Sequence, residues 1–167
     1  MVSSIQSKLN SQQSTMNGFQ TKQSSIERKV DRGIAFTTQL DLNKSLYTLK
    51  KNEKIVFGHV ISNHGNAYDR KSGIFTSPKS GIYGFYYNIH TLIDKFALVE
   101  LTSNGDKIHS LAYAGSHSSA PTDGSTFVVL YLSKGERVWL RAGRDCSIGE
   151  TMKYQENTFS GFLIHSY

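Results

Sequence analysis

A chain of 167 residues with 38% hydrophobic and 11% aromatic side chains is long enough to bury one full core, and its low charged content of 19% favours half-buried pleated surfaces. The net charge of +6 comes without a dense Lys/Arg run or a nucleic-acid motif, which argues against nucleic acid as a partner. The longest apolar run, residues 127–132, is strand-sized, so no membrane span is expected; the single cysteine, Cys146, excludes an intrachain disulfide and reads as a small buried hydrophobe.

Residues 1–33 are polar and rich in Ser and Gln. Nearly all of their apolar side chains, Val2, Ile5, Leu9, Met16, Phe19, Ile26 and Val30, fall on heptad a and d positions, broken only by Gln12 and Gln23. About four heptads of this pattern predict a short coiled-coil helix, steadied by association because a lone helix of that length is marginal. Gly18 and the many serines favour the competing expectation, a disordered polar leader. Lys8, Lys22, Arg28, Lys29 and Arg32 outnumber Glu27 and Asp31, giving a basic stretch that reads as a solvated face or as an attraction to anionic surfaces. The stretch 1–6 shows no charged segment followed by an apolar core, so no secretory signal is expected there.

From Ala35 the period changes to two. Strands are expected over 35–39, 55–61, 69–75, 81–91, 96–103, 107–114, 126–133, 137–142 and 158–165, with tight turns at 78–81, 104–106 and 133–136. Many short strands with no helix between them predict an all-β sandwich or barrel. The division is therefore a stalk segment at 1–33 and a β domain at 34–167. The triplet Asn43-Lys44-Ser45 is a formal N-glycosylation sequon.

One ladder is more specific than any of this. Phe57, Asn63, Tyr68, Phe75, Gly81, Tyr83, Phe85 and Tyr87 recur at fixed spacing and end in Gly-x-Tyr-x-Phe-x-Tyr, which places three aromatics on one strand face. The ladder resembles the signature of the C1q globular-domain family. Further segments match: Gly73-Ile74-Phe75-Thr76-Ser77-Pro78 is similar to the family's Gly-x-Phe-x-x-Pro, Gly135-Glu136-Arg137-Val138-Trp139-Leu140 to its Gly-Asp-x-Val-Trp-Leu, and Thr158-Phe159-Ser160-Gly161-Phe162-Leu163 to its last strand. The resemblance covers about residues 34–167. It implies a C1q-like jelly-roll β-sandwich of about ten strands, assembled as a homotrimer and secreted to the extracellular space. No Gly-x-y repeat is present, so the collagen stem of the complement subunits and its activities do not carry over.

Catalysis is not expected. The six histidines, His59, His64, His90, His109, His117 and His165, lack zinc-site spacing, and Ser160-Gly161 lacks the nucleophile-elbow frame. Tyr83, Phe85, Tyr87, Ile89 and Trp139 are assigned to the core, and Gly81 and Gly161 to bends or close backbone approach. With strands alternating in direction, the connections 64–68, 92–95, 116–125 and 143–157 are expected at the end far from the stalk, where long polar loops favour recognition. Ser116, His117, Ser118, Asp123, Arg144, Asp145, Glu150 and Tyr154 are the candidate ligand-binding residues, against the alternative that each is a solvated loop side chain. Some family members hold calcium through carboxylates before the 127 strand. Only Asp123 stands there as a candidate calcium ligand, and six to eight oxygens would have to come from pooled chains. The resemblance implies recognition of microbial or host glycans or other anionic surfaces in innate immunity. The alternative is a trimeric cytokine-like ligand for a protein receptor, and a matrix role comes third.

Overall fold

A computed structural model of the chain describes residues 2–29, 33–41, 46–105, 107–115, 120–149 and 157–167. It forms two compact units, Met1–Arg32 and Gly33–Tyr167. The first is one helix, α1 (Val2–Lys29). Gly18 does not interrupt it, and the hydroxyls that could compete with the helix turn back on it. Ser7 and Ser11 donate to the carbonyls of Ser4 and Lys8, and Thr15 and Thr21 to those of Ser11 and Asn17. Along the predicted seam Ile5, Leu9, Met16 and Phe19 are all more than half exposed.

The second unit is a sandwich. Its strands are β1 (Ala35–Gln39), β2 (Leu46–Leu49), β3 (His59–His64), β4 (Tyr68–Asp69), β5 (Ile74–Thr76), β6 (Gly81–Thr91), β7 (Phe96–Ser103), β8 (Lys107–Gly115), β9 (Thr122–Leu132), β10 (Arg137–Ala142), β11 (Cys146–Gly149) and β12 (Thr158–Ser166). One sheet runs β3-β1-β12-β6-β9 and the other β4-β5-β10-β7-β8, while β11 and β2 form a separate pair. Every pairing between these strands is antiparallel. The two five-stranded layers make the expected jelly roll, and the small pair is an addition to it.

Alternation fills the space between the layers. Tyr83, Phe85, Tyr87 and Ile89 on β6 are fully buried, as are Phe57, Phe75, Val99, Leu101 and Leu140. The rings interlock: Phe36 stacks on Tyr68 with centroids 4.8 Å apart, and Phe75 meets Phe85 edge-on at 5.4 Å. Gly161 is required for this packing, because a Cβ there would lie 2.6 Å from a Phe36 ring carbon and 2.7 Å from one of Phe85. Asn63 and Tyr68 owe their places in the ladder to polar bonds. The Asn63 amide donates to the Tyr68 carbonyl at 2.8 Å and accepts from its N–H at 3.2 Å, closing the connection between β3 and β4. The Tyr68 hydroxyl donates to the Phe57 carbonyl, and burial pushes its pKa up to about 12.

Three expectations are corrected. The strand expected over 55–61 begins at His59, because Ile55 and Phe57 plug the core from coil, with the Ile55 N–H donating to the Leu140 carbonyl. The strand expected over 69–75 is split into β4 and β5 by a turn in which Asp69 accepts from Lys71 N–H and Ser72 Oγ, and Gly73 takes φ +72°. The connection 64–68 lies at the end where β1 begins, since His64 pairs with Ala35. Turns at 78–81 and 133–136 share that end, as Gly81 pairs with both Leu132 and Ser166.

Candidate functional site

Two surfaces of the sandwich stand out, and register explains both. On the outer face of the sheet β3-β1-β12-β6-β9, Tyr86 sits opposite Phe127, and Gly84 opposite both Val129 and Phe162. Tyr86, Phe127, Val129, Tyr131, Phe162 and Ile164 are each 41–60% exposed there. Gly84 lets the face close up: a Cβ on it would come within 3.0 Å of Phe127 and 3.2 Å of Phe162, whose rings stack over it at 6.5 Å. Strand alternation normally puts polar residues on a solvated face, so a contiguous aromatic patch marks a contact surface.

Towards the opposite end of β6 and β9 the same face becomes polar. His90 pairs in register with Asp123, and Asn88 with Ser125. Asp123 Oδ1 lies 3.0 Å from His90 Nδ1 and accepts from Asn88 Nδ2 at 3.4 Å. His90 is almost fully buried while Asp123 is more than half exposed. This carboxylate is already committed to two side-chain donors. Among the described residues no group of three or more His, Cys, Asp or Glu side chains could hold a metal ion.

The second surface is a groove of about 320 Å³ at the end of the sandwich away from the start of β1, lined in part by Thr48, Lys50, Asp94, Lys95, Phe96 and Asp145. Three segments far apart in sequence meet there: the end of β2, the turn between β6 and β7, and the start of β11. The pairing of Cys146 with Leu49 brings the first and third together. The Thr91 hydroxyl, donating to the Ser147 carbonyl at 3.0 Å, ties β11 to the end of β6. The turn is tight, with Asp94 at φ 56° and the Lys95 N–H donating to the Leu92 carbonyl at 3.1 Å.

Asp145 accepts from the Lys51 N–H at 2.9 Å and from the Lys50 ammonium at 3.1 Å, and these bonds hold its pKa below the usual carboxylate value. The Arg144 guanidinium covers the Phe96 ring at 4.7 Å from its centroid. Cys146 forms part of the floor; it is buried, and desolvation raises its thiol pKa.

Of the candidate binding residues, Arg144 and Asp145 thus sit at this groove. Asp123 does not line it and belongs to the sheet face. Ser116, His117, Ser118, Glu150 and Tyr154 lie outside the described residues, as does the Asn43 sequon. Lys50, Asp94, Lys95 and Phe96 were missed by the sequence reading. The Asp94-Lys95 dipeptide, placed in a connection already assigned to this end, was the available signal.

The C1q domain family model matches residues 35–164. Complement C1q tumor necrosis factor-related protein 3 of Homo sapiens is 33% identical over 133 residues, covering 78% of this chain and 51% of that protein. Caprin-2 of Danio rerio is 33% identical over 132 residues, 79% of this chain and 14% of that protein. The chain thus spans about half or less of the length of these relatives. Among solved structures, the globular domain of zebrafish complement 1qA is similar with a TM-score of 0.63 at 20% identity, covering 80% of this chain and 99% of that one. Eiger TNF from S. frugiperda gives 0.64 at 14% identity, covering 82% and 96%. At those identities the structures speak for the fold alone. No helix among the described residues is long and apolar enough to cross a membrane.

Proposed function

The chain belongs to the C1q domain family, and on that premise we propose that it is a secreted, homotrimeric, non-catalytic recognition protein that binds glycans on microbial or host surfaces. The observation that carries the trimer is the aromatic outer face of the β3-β1-β12-β6-β9 sheet, too large and too continuous for a surface left to water. Three copies sharing that face would also bring three Asp123–His90 pairs towards one another, which is where any pooled calcium would have to bind. The seam of α1 supports the same stoichiometry through a three-stranded coil, with residues 1–33 as stalk and 34–167 as recognition head.

The work is done by avidity. Each head binds weakly through the groove end, and three linked heads multiply the effect by raising the local concentration of sites. The test is paired. Binding to a glycan-coated surface and to soluble monovalent sugar is measured for the full chain and for a variant lacking residues 1–33. Surface binding should fall far more than binding of the monovalent sugar. Equal loss in both would refute avidity, and absence of any saturable sugar binding would favour a protein-receptor ligand instead.

A further inference from the structure

We infer that the groove between β2, the β6–β7 turn and β11 is a subsite for a singly anionic saccharide, one carrying a carboxylate or a sulfate beside free hydroxyls. The inference rests on the recognition reading and names the ligand class that this site would take.

Its size comes first. At about 320 Å³ the groove is at the small end of ligand cavities, enough for one or two sugar units and too small for a folded peptide element. Its charges come second. Lys50, Lys95 and, at the rim, Arg144 face two carboxylates, Asp94 and Asp145. Asp145 is already satisfied by Lys50 and the Lys51 N–H. Among the described residues, neither Asp94 nor Lys95 has a charged partner, and both are exposed, so a ligand meets them with only water to displace. Three cations against two carboxylates leave one net positive charge, which matches a single negative group better than a multiply charged one. The groove accepts a molecule that offers hydroxyl donors and one negative group on neighbouring atoms.

The geometry supplies the third reason. Asp94 and Lys95 are consecutive residues of a tight turn, and Asp145 is anchored by the Lys51 N–H, so the backbone that presents the polar groups is set before the ligand arrives. Phe96, half-buried against the core, carries the Arg144 guanidinium over its ring and so fixes that cation beside the groove. Saccharides meet the polar requirements: hydroxyls for Asp94 and an acid group for Lys95.

The experiment uses the full chain and surface plasmon resonance against albumin conjugates carrying glucuronic acid, galactose 6-sulfate or glucose. The wild-type protein should bind one or both anionic conjugates about tenfold more tightly than the glucose conjugate, the order of one added charge-assisted hydrogen bond. Lys95→Glu should abolish that preference, Lys95→Arg should keep it, and Asp94→Asn should weaken all three conjugates. Lys134→Glu, in a turn at the opposite end, makes the same change in net charge and should leave the preference intact. Circular dichroism and melting confirm that each variant folds. Equal effects of Lys95→Glu and Lys134→Glu would reduce the preference to net charge and overturn the site. Saccharide binding untouched by Lys95→Glu and Asp94→Asn would place recognition elsewhere, with the recognition reading intact. Binding of none of the conjugates by the wild-type protein would sink both. The stronger of the two anionic conjugates identifies the acid group.

Discussion

Replacing Phe127 by Ser should dissociate the proposed trimer without unfolding the head. Phe127 is 55% exposed in the single chain, and the rest of its ring is covered by Phe162 and the strand beneath. A buried aromatic side chain removes about 200 Å² from water, so roughly 110 Å² of Phe127 remains to be covered by a neighbouring copy. At about 25 cal/mol per Å² this contributes about 2–3 kcal/mol per chain, or about 6–9 kcal/mol for three. The trimer association constant should then fall by roughly four to six orders of magnitude. Because that constant scales with the square of concentration, the half-trimer midpoint should rise by roughly 10²- to 10³-fold. Sedimentation equilibrium across a dilution series reads this directly, and any contribution from α1 is common to both proteins and cancels. Ile61→Ser on β3 is the control, since Ile61 is equally exposed at the opposite edge of the same sheet. An unchanged midpoint for Phe127→Ser, or the same shift in the control, would refute the assignment of that face.

Gly161→Val should destabilise the sandwich by about 3 kcal/mol or more, because the new side chain drives into Phe36 and Phe85; melting would register it as a fall of about 6–12 °C or a failure to fold. Asp145 has a folded-state pKa below its unfolded value, so its stabilising contribution is present above about pH 4 and is lost as pH falls through the lower, folded value. Urea midpoints measured from pH 6 to pH 2 should show that loss, and Asp145→Asn should flatten it; an identical pH profile in the variant would contradict the bonding to Lys51 and Lys50. Cys146, buried with its thiol pKa raised, should resist iodoacetamide near pH 7.5 in the native protein and react readily in urea; fast native labelling would disprove its burial.

The fold was legible where strands are rich in side chains the core must bury. The observed bounds of β1, β6, β7 and β10 coincide with the expected ones, because each buries at least one face and a register slip would expose it. Legibility failed for β2 and β11, four residues each, whose pairing with one another is a tertiary fact that no local pattern announces. It failed again at Ile55 and Phe57, where apolar residues at strand spacing fill the core from coil. The groove was half legible for the same reason. Arg144 and Asp145 lie in a connection already assigned to the far end. Lys50 directly follows the missed β2, and only the β2–β11 pairing carries it across to Asp145.

The placement of β1 has a mechanical consequence. This strand is hydrogen-bonded along both edges, to β3 on one side and β12 on the other, and the linker from α1 joins it at the end away from the groove. When a target held at the groove is dragged against that tether, the force runs lengthwise along β1. The bonds of both ladders are then strained together, in shear, and none can peel open alone. A force applied between Gly33 and Tyr167 would instead unzip β1 from β12 one bond at a time. The head is built to resist the pull its proposed role would impose.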